Sequence, residues 1–379
     1  MREGWKEVEL GDIAYYVKDK STFDEVNERN YISADNMNVD IGGINFSDYV
    51  PTKGNVSKFL SEDVLISNIR PYFKKMWFAT FEGGCSNDVF VLRVKNRDFN
   101  SKFLFYHLSQ QPFFDFMMAG ANGTKMPRGN KNSIIKFKIN LPPLPTQQKI
   151  ATILSAYDDL IENNLKRIKL LEETAQQTYE EWFMRMRFPG YDTAVFDEET
   201  GLPEGWGRKY FKEVLNFKTG KLDSNALSEN GKYDFYTCAK EVYKTNTYCF
   251  DGEAVLLGGN NATGDFALFY AKSKFDAYQR TYIVTAKTDD LSLTYVFQVF
   301  ATYLSHFKIV SSGASTKFLT MRILDKTKIT VPSNIILREF NALVEPCHSE
   351  ILNLEQQNQR LREARDILLP RLMMGMIEV

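Results

Sequence analysis

The stretch that most constrains the fold runs from Ile150 to Trp182, "IATILSAYDDLIENNLKRIKLLEETAQQTYEEW". It holds no Gly and no Pro, so nothing in it breaks a helix. Apolar residues recur at alternating spacings of four and three: Ile150, Leu154, Tyr157, Ile161, then Asn164, then Ile168, Leu171, Ala175, Thr178 and Trp182. A repeat of 3.5 residues is the seam of a coiled coil. About 30 residues at roughly 1.5 Å each make a rod of roughly 45 Å. A rod in mid-chain, far from both termini, needs a partner for its apolar stripe.

The partner is legible further on. Phe340, Val344, Cys347, Ile351, Leu354, then Asn358, Leu361, Arg365, Leu368 and Leu372 form a second seam with the same period. Laid antiparallel, the seams match. Leu154 meets Leu368, Ile161 meets Leu361, Ile168 meets Leu354, Leu171 meets Ile351, and Tyr157 meets Arg365 as a stacked pair. Each seam carries one Asn, and this register sets Asn164 against Asn358. Two facing amides satisfy each other and penalise other registers, whereas one alone costs about 1–3 kcal/mol. Pro346 is expected to kink the second rod and Pro370 to end it. The register is therefore expected for the central pairs and not for Trp182 with Phe340 or Ile150 with Leu372. Two other arrangements fit the same periodicity: each rod packed on its neighbouring domain, or a parallel homodimer of one rod.

The chain is also written twice. "GWKEVELGDI" at Gly4 is echoed by "GWGRKYFKEV" at Gly205, and "NSIIKFKINLPPLP" at Asn132 by "ILDKTKITVPS" at Ile323. Upstream of each lies a Gly-Thr/Ser-Lys element, "GANGTKMPRGNK" from Gly120 and "SSGASTKFLTMR" from Ser311. A rod begins after each "LP" or "VP". The layout is globular unit, rod, globular unit, rod, with globular units of ordinary domain size. "DVLISNI" and "DVFVLRV" read as strands and "KFLFYHLSQQPFFDFMM" as one helix. The fold class is α+β: two tandem globular domains joined by two long antiparallel coiled-coil helices with a pseudo-two-fold relation. Boundaries are expected at 1–144, 145–187, 188–333 and 334–379.

Hydrophobic residues make up 44% of the chain, enough for real cores. No apolar run approaches the roughly 20 residues of a membrane helix. Cys85, Cys238, Cys249 and Cys347 share no metal-ligand spacing and no leader is evident, which reads as reduced thiols in the cytoplasm. The net charge of −1 hides an uneven distribution: −6 over residues 1–63, +8 over 64–138 and +5 over 205–332. Two basic blocks, one on each side of the first rod, point to a polyanion, because charge acts within about 10 Å.

These segments resemble a known family. "LPPLPTQQKIATILSAYDDLIENNLKRIKLLEETAQQTYEEWF" is similar to the central conserved region of the specificity subunits of type I restriction–modification enzymes. "EILNLEQQNQRLREARDILLPRLMMGMIEV" resembles their distal conserved region. "GWKEVELGDI", "LPEGWGRKYFKEV", "LISNIRPYFKKMWFA" and "GTKMPRG" resemble stretches of their target-recognition domains. The second copy departs from the first: "ISNIRPYF" becomes "LLGGNNATGDF" and "GTKMPRG" becomes "GASTKFLTMR". The resemblance implies a non-catalytic subunit that reads a bipartite, asymmetric site on double-stranded DNA. Its rods set the spacing and dock two methyltransferase subunits, which transfer a methyl group from S-adenosylmethionine to adenine N6. Restriction subunits that use ATP and Mg can join. The chain itself is expected to bind no cofactor and no membrane.

The candidate DNA contacts fall in two sets. In the first half, Thr124, Lys125, Arg128 and Lys131 follow Gly123 on a loop whose glycines allow close backbone approach to phosphates. Arg128 has the fork for guanine O6 and N7. "SNIRPYFKK" adds Asn68, Arg70, Tyr72, Lys74 and Lys75; Tyr72 or Phe73 could stack on an exposed base or fill the core, and the core is the better expectation. In the second half the matching places are Ser315, Thr316, Lys317 and Arg322, with Asn260 and Asn261 after two glycines and Gln279 and Arg280 in "YQRT". The bland alternative for each is an ordinary solvated loop.

Several motifs are decoys. "NLPPLP" lacks the uninterrupted Asn-Pro-Pro-aromatic element of an adenine methyltransferase. "GGNNATGD" lacks the Lys-Ser/Thr of a phosphate-binding loop, and His107, His306 and His348 form no ligand pattern. Two rivals remain: a solitary methyltransferase or nuclease, active alone with its cofactor, and a coiled-coil scaffold that binds DNA or protein without a modification partner. A pure protein scaffold predicts no salt-dependent DNA affinity, and the basic blocks argue against it.

Overall fold

Both periodic stretches are helices. A computed structural model describes residues 4–47, 49–123, 125–228, 230–288 and 291–379. The first rod runs Leu144–Tyr179, 36 residues, and passes into a π-helical turn, Glu180–Met184. The second runs Asn334–Met373, 40 residues, straight through Pro346 and Pro370. The expected stop at Pro370 is therefore not observed: that proline lies in the last turn, three residues from the end. Packing on the rod's apolar side sustains the helix against the roughly 3 kcal/mol a proline costs.

The chain divides into two units, Met1–Asn163 with Asn358–Val379, and Asn164–Gln357. The boundary falls inside both rods, at Asn164 and Asn358, which are both buried.

In the first unit a four-stranded sheet is ordered Ala14–Tyr16, Val89–Val94, Val64–Ser67, Met76–Phe78, all antiparallel. A second sheet is ordered Lys20–Thr22, Asn55–Phe59, Gly83–Cys85, Tyr31–Ile32. Lys6–Glu9 pairs with Lys138–Leu141, closing the ends of the domain on each other. The segment read as one helix is two, Ser101–Leu108 and Gln111–Ala119. Asn100 caps the first, and Pro112 opens the second where its missing N–H costs nothing. The core gathers Leu10, Ile66, Phe90, Leu104, Phe113, Phe114 and Ile139. Asp63, 1% exposed, anchors the sheet by a two-pronged bond to Arg93, both contacts 2.7 Å.

The rod segments of this unit pack on each other and on the domain. Ile150, Leu154, Leu368 and Leu372 share one cluster with Phe103 and Tyr106. The Ile150 end of the register therefore joins the cluster instead of failing. Arg365 donates to Asp158 at 2.7 Å, and the Tyr106 hydroxyl donates to the same carboxylate at 2.5 Å. The carboxylate one residue after Tyr157 thus receives the guanidinium expected on the Tyr157 ring.

In the second unit one six-stranded sheet is ordered Leu215–Thr219, Thr281–Ala286, Phe250–Gly258, Leu268–Ala277, Tyr233–Tyr236, Val242–Thr245. A single helix, Leu293–Val310, takes the place of the two helices of the first unit. Gly207–Tyr210 pairs with Lys328–Val331, the same closure as before. Ile168, Leu171, Ile351 and Leu354 pack together, and Arg167 bonds Glu350 at 2.6 Å. Trp182 stands edge-on to Phe340 at 5.9 Å, so this end of the register also holds. Phe340 is shielded completely and belongs to a core that includes Tyr179, Phe183, Val255, Val284, Tyr295 and Phe300.

Two buried histidines make the fold pH-sensitive. Burial pushes His107 and His348 each down to about 4. The unfolded chain binds their protons near pH 6.5 and the folded chain does not, so stability is full above that pH and falls as the pH drops toward 4. At pH 5 the loss is about 2 kcal/mol per histidine. The urea midpoint should fall steeply between pH 7 and pH 5, and His107→Leu should remove part of that slope. A midpoint constant over this range would refute the account.

Candidate nucleic-acid interface

The basic loops of the first unit are held by unusual backbone. Arg70 and Lys74, which flank the Pro71–Phe73 turn, both sit in the left-handed region at φ 49°. Asp40 and Ile41, also left-handed at φ 51° and 58°, donate their N–H groups to the Phe73 and Lys74 carbonyls at 2.9 and 3.0 Å. Non-glycine residues in this region cost on the order of 1–3 kcal/mol and cluster at binding sites. The turn pushes Tyr72 and Phe73 outward, 49% and 36% exposed, with ring centres 4.7 Å apart. The core placement expected for this pair is overturned: the neighbouring strands already supply the core, and the strained turn aims the rings at solvent.

The glycine loop lies against this turn. The Arg70 N–H donates to the Pro127 carbonyl at 2.8 Å, and the Gly129 N–H to the Asn68 carbonyl at 3.2 Å. Gly123 has φ 90°, which a side chain would strain. Lys125 and Arg128 are exposed beyond it. Arg128 reaches Asp88 at 3.3 Å. Lys131 is exposed and its ammonium stands over the Phe90 and Tyr16 rings at 4.9 and 5.4 Å. Lys74 lies 3.9 Å from Asp40. Lys75 turns inward and donates to the Ala34 carbonyl at 2.7 Å, which removes it from the exposed set. Thr124 lies outside the described residues.

The second unit brings its own pair of loops together. Asn260–Asn261 pairs with Lys317–Phe318 as a short antiparallel ladder. The Asn261 side-chain oxygen accepts from the Thr263 N–H at 2.8 Å and from the Asp265 N–H at 3.2 Å. It is spent on its own loop, so Asn261 has only its amide donors to offer a ligand. Gly313, at φ 113°, tightens the loop that carries Ser315, Thr316 and Lys317; a Cβ there would stand 1.9 Å from the Thr316 carbonyl. Gln279 and Arg280 are exposed and line a cavity of about 220 Å³ with Gly259, Tyr282, Phe318 and Thr320. Arg322 stands apart from this group, in a separate groove of about 550 Å³ with Tyr303, His306 and Lys326.

Sequence reasoning missed three neighbours of these residues. Asp88 holds Arg128, Phe318 lies under Arg280 at 5.5 Å, and Lys308 bonds Asp265 at 2.6 Å. The Lys308 ammonium and the Thr263 hydroxyl keep the Asp265 carboxyl below its ordinary range. Phe318 stands inside the "SSGASTKFLTMR" element and Asp88 opens the "DVFVLRV" strand, but nothing local marks them, or Lys308, as partners of these residues; the fold brings each pair together. Among the described residues, no group of three His, Cys, Asp or Glu side chains could hold a metal ion. No described helix is long and apolar enough to cross a membrane.

One loop pair, built twice with exposed cations on glycine-hinged backbone, defines a modular reader of a polyanion. The family model for the type I restriction modification DNA specificity domain matches residues 2–173 and 203–336, and the chain belongs to that family. The specificity subunit of the MjaIX type I restriction enzyme of Methanocaldococcus jannaschii is 24% identical over 304 residues, 74% of this chain and 69% of that one. The EcoDI specificity subunit of Escherichia coli is 33% identical over 180 residues, 46% of this chain and 39% of that one. The type I restriction–modification S subunit of M. genitalium, a solved structure, shares the fold. Its TM-score is 0.62 at 15% identity, over 97% of this chain and 96% of that one.

Proposed function

We propose that this chain is the non-catalytic DNA-reading subunit of a type I restriction–modification complex in the cytoplasm. Each unit reads one part of a bipartite, asymmetric duplex target. The observation that carries this reading is the twofold construction of the loop pair, with different side chains in each copy. A repeated scaffold with divergent loops suits a target whose two parts differ in sequence.

The functional division follows 1–144 and 188–333 as recognition domains and 145–187 and 334–379 as rods. Contacts to phosphate and base come from Asn68, Arg70, Tyr72, Lys74, Thr124, Lys125, Arg128 and Lys131 in the first domain. In the second they come from Asn260, Asn261, Gln279, Arg280, Ser315, Thr316, Lys317 and Arg322. Asn164 and Asn358 fix the register of the rods. Two methyltransferase subunits dock on the rods, which leave large apolar side chains in water: Leu160 and Ile367 at 52% and 54% exposure, Leu165 and Leu170 at 48% and 61%. Bare leucines of this kind on a helix suit a partner surface. S-adenosylmethionine, and ATP with Mg where restriction subunits join, are bound by the partners.

The test is to co-express the chain with the methyltransferase subunit encoded beside it and map methylated adenines in host DNA. One two-part motif with a fixed gap is the expected result; intact complexes that methylate nothing would refute it. Within that complex, Lys125→Ala should weaken binding to every sequence and flatten the salt dependence by about one unit, because one phosphate fewer is neutralised. A weakening confined to particular bases would make Lys125 a reader instead.

A further inference from the structure

The backbone hydrogen bonds around the two loop pairs match bond for bond. In the first unit the Asn68 N–H donates to the Asp88 carbonyl at 2.7 Å, and the Gly129 N–H to the Asn68 carbonyl at 3.2 Å. In the second the Gly259 N–H donates to the Arg280 carbonyl at 2.8 Å, and the Leu319 N–H to the Gly259 carbonyl at 2.9 Å. The strands entering each site agree, with Ser67 opposite Val89 and Gly258 opposite Thr281. The glycine loops agree as well: Asn122 bridges Arg128 as Ser312 bridges Phe318. Asp88 is therefore the counterpart of Arg280, and Arg128 the counterpart of Phe318. Aligning the glycine loops by their "TK" dipeptides hides this, because it sets Lys125 against Lys317. The bonds set Lys125 against Ser315.

At this pair of positions the chemistry is exchanged. The first unit has a carboxylate at the strand position and a guanidinium on the glycine loop, joined at 3.3 Å. The second has a guanidinium at the strand position and a ring on the glycine loop, 5.5 Å from its centre. Each unit thus presents one guanidinium at this pair, from opposite members of it.

We propose that Arg128 and Arg280 are the guanine-reading residues, one per unit, and that Asp88 and Phe318 are positioning residues for them. The inference rests on the DNA-reading assignment above and deepens it. Arg has five donors in a rigid plane. Asp88 engages one Nη2 donor of Arg128 and leaves the rest of the fork free. Phe318 contacts the Arg280 guanidinium through the ring face, which spends no N–H donor. Both side chains are exposed, with 52% of the Arg128 side chain open to solvent. The lysines nearby are less suited to read an edge. Lys75 is tied to a backbone carbonyl, and an ammonium such as that of Lys125 or Lys317 is a point charge without a fork. A guanidinium already held in place loses less freedom on binding.

The experiment is selection from a randomised duplex library by the full chain copurified with its co-expressed methyltransferase subunit, followed by sequencing of the bound fraction. The wild type should enrich a two-part motif with guanine at one position in each part. Arg128→Lys keeps the charge and loses the fork. It should abolish the guanine preference in one part, a preference of about 5- to 150-fold for a two-pronged contact, and leave the other part unchanged. Arg280→Lys should do the converse. Asp88→Asn and Phe318→Leu should weaken the same preference at the same position as their partner Arg, a positional signature that general destabilisation lacks. Motifs unaltered by the Lys variants, or an equal weakening over all sequences, would overturn the inference while leaving the DNA-reading assignment standing. A wild-type complex that enriches no motif would overturn both.

Discussion

Replacing Phe340 by alanine should destabilise the second unit by about 3–5 kcal/mol. The side chain is fully shielded. Phe183 stands 5.0 Å away, Trp182 5.9 Å, Tyr295 6.0 Å and Tyr179 6.4 Å, all ring centre to ring centre and none flat against it. Edge-to-face pairs of this kind add about 0.5–1.5 kcal/mol each beyond burial. A cavity at this point is expensive because its walls cannot collapse. Tyr295 is pinned through its hydroxyl to the Thr330 carbonyl at 2.7 Å, and the Trp182 and Phe183 backbone lies in the π-helical turn that ends the first rod. Phe340→Leu should cost less than half as much. Hydrogen exchange read peptide by peptide would show protection lost across the second unit's sheet while the first unit's sheet keeps its own. Unchanged protection in the second unit would mean that the rod segment contributes no stability to the domain it lies on.

The sequence was legible wherever a period or a repeat carried the information. The rods were readable because a 3.5-residue pattern survives for ten positions. The doubling was readable from the two "GW" openings and the two strands that close the domains, Lys138–Leu141 and Lys328–Val331. Local signals misled where tertiary packing outweighed them. Pro370 marks an end that the packed helix runs past. Tyr72 and Phe73 are apolar, yet a turn with left-handed residues at both ends turns them to solvent. Pro112 carried the opposite lesson: it divides a stretch whose apolar pattern alone looked continuous. The candidate site was legible only in part. Glycine loops and cations could be found from composition, but the partners that aim them could not. Asp88 is 40 residues from Arg128 in the chain, and Arg280 is 38 from Phe318. No local pattern links residues at such distances; strand pairing does.

Lengthening both rods by one heptad, after Asn164 in the first and before Asn358 in the second, should lengthen the gap between the two parts of the target by about 3 base pairs. Seven residues add roughly 10.5 Å of helix, against roughly 3.4 Å per base-pair step. Both rods must be extended together, since an insertion in one alone would slide every later seam pair out of register. Length is not the whole effect. A heptad is nearly two full helical turns, so it changes the rotation along a rod by only about 20°. Three base pairs rotate the duplex by roughly 100°, at about 10.5 base pairs per turn. The one-heptad variant should therefore methylate slowly even on its preferred gap, because DNA must twist to present both parts. Three added heptads give roughly 31.5 Å, about 9 base pairs, which is much nearer one full turn of the duplex. That variant should recover more activity than the shorter insertion, on a gap about 9 base pairs longer. Mapping methylated adenines for the three proteins reads both quantities at once. A gap that stays fixed in all three would show that the rods do not set it, and a rate that falls steadily with length would show that rotation plays no part.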